Sequence, residues 1–356
     1  MTDLKSRIIA AAYAIEKRFD RLRLEYKLRT GRLKPVEVIP YLGYGTPGNL
    51  YLRGRVLEGR GITRADARDP VRRNLRNTAR RFLSSETPGA RVRVRSGGHE
   101  TVVTADEKGF FEVSFELSPP LAEPPERSLE GETRWHPVDL ELLWPRARGQ
   151  TEVHARGYVL VVSGARLGVI SDLDDTVVKS RATDLLKMVW IILVNNAHTR
   201  LPFEGVADFY KALQDGTDGR QSNPIFYVSS SPWNLYDLFV DFLELNGLPA
   251  GPLLLKRWGL ATIGRQPAHK VEAIRTLLST YPDLPFVLIG DSGQSDLDIY
   301  RQMVREHPGR IQAVYIREVN ASESQARAAE VHAIAKELRG LGVRHGSRSR
   351  LSTDEL

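Results

Sequence analysis

Apolar positions along this chain follow three successive rhythms, and each predicts a different kind of structure. Over residues 3–29, Leu4, Ile8, Ala12, Ile15, Phe19, Leu22 and Tyr26 recur at steps of three or four, forming one face of a long helix. Lys17, Arg18, Arg21, Arg23, Lys27 and Arg29 take its other faces, and Gly31 followed by Pro35 stops it. From residue 36 to 164 the segments shorten. Residues 50–57, 91–95, 101–104, 110–117, 138–143 and 153–162 alternate or run apolar, with Gly, Pro and Asp between them. Asp106-Glu107-Lys108-Gly109 has the composition of a hairpin turn. Such spacing predicts an antiparallel β-sandwich. Residues 70–83 interrupt it with a helical stretch carrying Arg72, Arg73, Arg76, Arg80 and Arg81, which reads as a solvated helix or as a contact for an anionic surface.

Beyond Arg166, strands alternate with helices. Residues 167–171, 225–229, 286–290 and 311–316 are continuous runs of large apolar residues, as expected of strands covered on both faces. Helical patterns lie over 233–246, 270–280, 296–305 and 323–338. The expectation is a doubly wound, parallel α/β domain over 165–320, followed by a helix and a frayed polar tail over 321–356. The predicted order is therefore a basic N-terminal helix (1–35), a β-sandwich (36–164), an α/β domain and a C-terminal appendage.

Composition narrows the options. The 356 residues contain no cysteine, which removes disulfide frameworks, thiolate metal sites and cysteine nucleophiles, and suits a reducing cytoplasm. Apolar runs such as Met188 to Val194 are far short of a bilayer span, and charge interrupts the N-terminus where a secretory signal would stand. Net charge is +7, concentrated in residues 1–35, where ten Lys and Arg face four Asp and Glu. Basicity of this kind suits anionic partners such as lipid surfaces, nucleic acid or phosphorylated substrates.

Chemistry-bearing residues collect where an open parallel sheet would use them, just past the ends of strands. Three such places are Ser171-Asp172-Leu173-Asp174-Asp175-Thr176, Ser229-Ser230-Ser231-Pro232-Trp233 and Gly290-Asp291-Ser292-Gly293-Gln294-Ser295-Asp296. Lys270 opens a helix between the second and third. Asp172 and Asp174 have the alternate spacing that lets two carboxylates near a strand end face one cavity. Gathering Asp172, Asp174, Asp291 and Asp296 in one crevice requires a cation, and hard oxygen ligands favour Mg²⁺. One carboxylate could then attack phosphorus and the second could move the proton, with a Ser hydroxyl and a Lys ammonium on the phosphoryl oxygens.

The pattern Asp172-x-Asp174-x-Thr176, a strand-terminal Ser229, Lys270 and Gly290-Asp291-x4-Asp296 resembles the four motifs of haloacid-dehalogenase (HAD)-superfamily phosphatases, in the same order. The resemblance implies a HAD-like sheet with a small cap insertion over residues 177–201. It makes Asp172 the nucleophile and Asp174 the general acid/base and a metal ligand through its carbonyl. Thr176, Ser229 or Ser230, and Lys270 would hold the phosphoryl group, and Asp291 and Asp296 would hold Mg²⁺. More narrowly, Phe226-Tyr227-Val228-Ser229-Ser230-Ser231-Pro232-Trp233-Asn234-Leu235-Tyr236, Gly251-Pro252-Leu253-Leu254-Leu255 and His269-Lys270 look like the actin-patch-associated phosphatidate phosphatase family and its bacterial relatives. Tyr44-Gly45-Thr46-Pro47-Gly48 extends that likeness into the β region. The expected activity is Mg²⁺-dependent hydrolysis of phosphatidate through an aspartyl-phosphate, and the expected setting is a cytoplasmic enzyme acting peripherally at membranes. The fungal members' Pro-rich recruiting extension has no counterpart beyond a small cluster at 118–126, so no actin link is implied.

Other motifs fail on context. Gly43-x-Gly45-x-x-Gly48 matches a dinucleotide fingerprint, yet strand-like Asn49-Leu50-Tyr51-Leu52 follows it where a helix must start. Asp172 to Thr183 cannot be a calcium loop, because Val177 stands at its sixth position and Thr183 at its twelfth. Two rival readings remain at this stage: the same chemistry on nucleic-acid ends or sugar phosphates, and a non-catalytic membrane-surface module. His269 is expected to be structural or on the rim. The basic helix and the 188–194 run are each read either as packed against protein or as touching lipid.

Overall fold

The computed structural model describes residues 21–59, 86–121, 135–173, 206–216, 219, 221–256, 266–291, 296–317, 338 and 340–348. The Arg-rich 70–83 segment, the 177–201 insertion with its apolar run, the first two thirds of the expected N-terminal helix and the expected helix over 323–337 lie outside these residues. Two compact units are distinguished. One holds residues 1–126 and 134–163, and the other holds 164–258 and 264–356, apart from short exchanged segments.

The first unit is one eight-stranded sheet that curls over its own core. Its strands are β1 (Val36–Pro40), β2 (Gly43–Thr46), β3 (Asn49–Glu58), β4 (Arg91–Ser96), β5 (His99–Thr104), β6 (Phe110–Glu116), β7 (Trp135–Trp144) and β8 (His154–Val161). The hydrogen-bonded order is β1-β3-β2-β8-β7-β4-β5, with β6 also on β3. Every pairing is antiparallel except β2 with β8. Long β3 has β6 along 49–55 on one edge, and β2 and β1 share the other edge. Alternation sends Leu50, Leu52, Val56, Phe111, Val113 and Phe115 from one layer into a core with Val92, Val94, Val138, Leu140, Leu142 and Val159 from the other.

The glycines that mimic a nucleotide fingerprint serve this hairpin. A side chain at Gly43 would sit 2.2 Å from the Tyr51 carbonyl oxygen, and one at Gly45 would sit 2.1 Å from that of Asn49. Close backbone approach between β2 and β3 therefore accounts for both.

Residues 21–29 are helical and end at Gly31, whose φ of 65° is the left-handed stop expected of a C-terminal glycine. The buried face differs from the predicted stripe. Leu24 enters the β core and Leu28 packs on it, whereas Leu22 and Tyr26 are 56% and 54% exposed. Arg21 bonds Glu107, and Lys27 bonds Glu58, so basic residues pin the helix to the unit. Over residues 21–29 this helix is docked on protein.

The second unit is a six-stranded, wholly parallel sheet: β9 (Gly168–Asp172), β10 (Ile225–Pro232), β11 (Leu253–Lys256), β12 (Phe286–Asp291), β13 (Ile311–Arg317) and β14 (Arg344–Arg348), in the order β11-β10-β9-β12-β13-β14. Helices α1 (Val206–Asp215), α2 (Tyr236–Leu245), α3 (Gln266–Thr280) and α4 (Asp296–Glu306) connect them, with a short 3₁₀ turn, Trp233–Leu235, leading into α2. Phe226, Ile170, Leu288 and Val314 are wholly buried, as two-sided cover demands. The chain fills one side of β9 with β10 and β11, then crosses to β12 on the other side. This reversal opens a crevice beyond the carboxyl ends of β9 and β12.

Three elements differ from the sequence reading. Strand β14 occupies part of the segment expected to be a polar tail and pairs Val314 with His345. Strand β11 is four residues long, and helix α1 falls where no helix was expected.

Candidate active site

Strand register sets the frame. Ser171 pairs with Ile289 across β9 and β12, and Asp172 pairs with Val228 across β9 and β10. Asp172 and Asp291 are thus the last residues of neighbouring central strands, at the same carboxyl end. Ser229, Ser230 and Ser231 follow Val228 at that same end of β10 and are all buried. The backbone amide of Ser231 donates to the Ser229 hydroxyl at 3.0 Å, where the register of β10 against β11 shifts between Ser229 and Pro232.

Lys270 is the hub. It lies in the second turn of α3, since the helix begins at Gln266 and not at Lys270 itself. Its Nζ is 2.7 Å from Asp172 Oδ1 and 2.8 Å from Asp296 Oδ1. The three side chains are 5%, 3% and 0% exposed, so one ammonium bridges two carboxylates away from solvent. Asp296 opens α4, where the helix dipole favours an acid. Gly290 makes room for it: a Cβ there would come within 2.8 Å of both Asp296 Oδ2 and Tyr300 Cε2. Tyr300 in turn donates to the Ile289 carbonyl oxygen at 2.8 Å, fixing α4 against β12.

Behind the site, the Ser171 hydroxyl lies 2.6 Å from that of Tyr210, which stacks on Tyr227. Burial pushes the Tyr227 phenol well above its ordinary range, so it remains a neutral donor to the Pro249 carbonyl oxygen at 2.8 Å. His269 faces the Leu254 carbonyl oxygen at 3.3 Å, a structural contact.

Of the residues singled out from sequence, the structure joins Asp172, Lys270 and Asp296 by direct contact. It sets Ser229, Ser230 and the backbone of Asp291 at the same sheet end. Asp174 and Thr176 lie outside the described residues. No group of three or more His, Asp or Glu side chains is assembled among the described residues. The joined set still suits a hard cation. Asp172 and Asp296 are buried carboxylates, and their hard oxygens are the ligand type a small divalent cation takes.

The ion pair between Lys270 and Asp296 is absent from the sequence reading, in which Lys270 is a phosphoryl ligand and Asp296 a metal ligand. The two are 26 positions apart in sequence, and no local pattern links them.

Residues 167–318 match a family model described as "Phosphatidate phosphatase APP1, catalytic domain". The matched segment covers the whole of the crevice just described. The chain is 34% identical over 161 residues to phosphatidate phosphatase APP1 of Saccharomyces cerevisiae, covering 44% of this chain and 26% of that protein. It is 29% identical over 157 residues to the uncharacterized protein C29B5.04c of Schizosaccharomyces pombe, covering 43% and 25%. The chain thus spans about a quarter of the length of these curated relatives. Among solved structures, a carbohydrate acetylesterase from Xanthomonas citri aligns over 85% of this chain and 73% of its own, at 13% identity and a TM-score of 0.26. A score that low carries no argument about fold or function. No described helix is long and apolar enough to cross a membrane.

Proposed function

We propose that the chain is a Mg²⁺-dependent phosphatidate phosphatase whose second unit is a HAD-like catalytic domain. The observation that carries the proposal is the buried bridge Asp172–Lys270–Asp296 at the carboxyl end of the central strands, within the segment that matches the phosphatidate phosphatase catalytic domain.

In this reading Asp172 is the nucleophile. Its carboxylate oxygen forms a bond to phosphorus, the ester P–O bond breaks, and the departing diacylglycerol oxygen takes a proton from Asp174. Asp174 then removes a proton from water, which attacks the phosphorus of the aspartyl-phosphate. The P–O bond to Asp172 breaks and inorganic phosphate leaves. Lys270, already held by two carboxylates, is oriented before substrate arrives, and its charge stabilises the phosphoryl oxygens with Thr176 and Ser229 or Ser230. Asp172, Asp174, Asp291 and Asp296 would hold Mg²⁺, which when bound neutralises charge on the phosphoryl group. An acid that protonates the leaving group matters because an alkoxide, unlike a halide, is a poor leaving group.

Substrate class is tested by comparing phosphate release from phosphatidate in mixed micelles, from a 5′-phosphorylated oligonucleotide and from a sugar phosphate. Phosphatidate is expected to be preferred at least ~10²-fold in kcat/KM, about 2.7 kcal/mol of transition-state discrimination. Preference for either soluble phosphate would contradict the lipid assignment while leaving the chemistry standing.

A further inference from the structure

We propose that the outer face of the β8-β7-β4-β5 layer is a docking surface for an anionic lipid bilayer. The choice of a lipid partner rests on the phosphatidate reading, whereas the surface itself is read from the first unit alone.

Alternation along these strands sends Val92, Val94, Val138, Leu140, Leu142 and Val159 into the core. The other side displays Arg91, Arg93 and Arg95 on β4, Asp139 and Glu141 on β7, Arg156 and Tyr158 on β8, and Glu100 and Val102 on β5. Register lays them in rows. Arg156 stands opposite Asp139, Asp139 opposite Arg95, and Arg95 opposite Glu100. In the next row Glu141 faces Arg93, and Arg93 faces Val102. In the last, Arg91 lies between Trp144 and Thr104, with no carboxylate opposite.

The acids on this face are engaged. Arg93 reaches Glu141 at 2.8 Å and Glu100 at 3.0 Å, Arg95 reaches Glu100 at 2.6 Å, and Arg156 reaches Asp139 at 2.9 Å. The bond from Arg95 holds the Glu100 carboxyl below its ordinary range, and that from Arg93 does the same for Glu141. With Arg146 near Glu141 at 3.8 Å, arginines outnumber these carboxylates. The opposite layer differs: the exposed positions of β6 are Glu112, Ser114 and Glu116.

Apolar side chains show the same asymmetry. Among the described residues, the large apolar side chains exposed on the strands of this unit are Val102, Trp144 and Tyr158, at 42%, 40% and 43%. All three stand among the arginines. Trp and Tyr side chains favour the headgroup region, arginine stems can lie along apolar surface with the guanidinium at the phosphates, and a broad sheet face meets a plane.

The test uses the full chain with sedimenting vesicles of phosphatidylcholine, with and without phosphatidylglycerol, which is not the proposed substrate. The chain is expected to bind only the anionic vesicles, and Arg91→Glu combined with Val102→Glu is expected to weaken that binding at least ~10-fold. Thermal unfolding and phosphate release from a water-soluble short-chain phosphatidate should be unchanged in that variant. If the double variant fails to fold, Arg156→Ser combined with Tyr158→Ser on β8 gives the same readout. Vesicle binding equal to wild type in the folded variant would overturn the proposal, as would failure of the wild type to bind anionic vesicles. Displacement from vesicles by a short oligonucleotide at matched charge would also overturn it, by making the face a general polyanion site. Absence of phosphatidate hydrolysis would leave vesicle binding intact, so the two readings fail separately.

Discussion

Replacing Lys270 by methionine is expected to destabilise the second unit by about 3–5 kcal/mol, because it strands two buried carboxylates without their shared counter-ion. In a unit of this size that corresponds to a fall of roughly 10 °C in the thermal midpoint. Methionine nearly matches the lysine stem in volume, so loss of packing contributes little and loss of charge dominates. Added Mg²⁺ should recover part of the deficit, since a cation among the same carboxylates replaces the missing charge. Phosphate release should fall at least ~10²-fold even under conditions where the variant is folded. A midpoint within a degree or so of wild type would mean that Asp172 and Asp296 do not depend on the ammonium, and the bridge would lose its significance.

Asp172→Asn carries the opposite signature. Turnover should drop at least ~10³-fold, because an amide cannot form the aspartyl-phosphate. Stability should not drop with it. Asp172 and Asp296 share the Lys270 ammonium in a buried cluster, and the substitution removes one negative charge from that cluster while keeping shape. The thermal midpoint without metal is therefore expected to equal or exceed that of wild type, and stabilisation by Mg²⁺ should shrink. Loss of activity accompanied by unfolding would make Asp172 a structural residue only. Retained activity in a folded variant would remove the nucleophile from the proposal.

Legibility of the fold followed burial. Strands β9, β10, β12 and β13 are covered on both faces, so their sequences are continuous apolar runs that stand out without any structural knowledge. Strand β14, Arg-His-Gly-Ser-Arg, pairs among the described residues only with β13, at the sheet edge, and an edge strand rich in charge resembles a loop in sequence. The docked helix shows a subtler failure. Its periodicity was legible, but the stripe drawn from Leu22 and Tyr26 is out of phase with the buried Leu24, because a core contact outweighs the mean pattern.

At the site, residue types after strand ends pointed to the crevice, because strand direction alone brings Asp172, Ser229 and Asp291 to one edge. What the sequence could not show was the ion pair between α3 and α4. That contact depends on how two helices pack across the sheet, and on the absence of a side chain at Gly290 that leaves space for Asp296.

The most direct test is phosphate release from phosphatidate by the purified chain, stripped with chelator and then titrated with Mg²⁺. The expected result is background release without metal and a saturable rise with it. Release that is already maximal in chelator, and indifferent to added Mg²⁺, would contradict the metal-assisted carboxylate chemistry from which the rest of the mechanism is built.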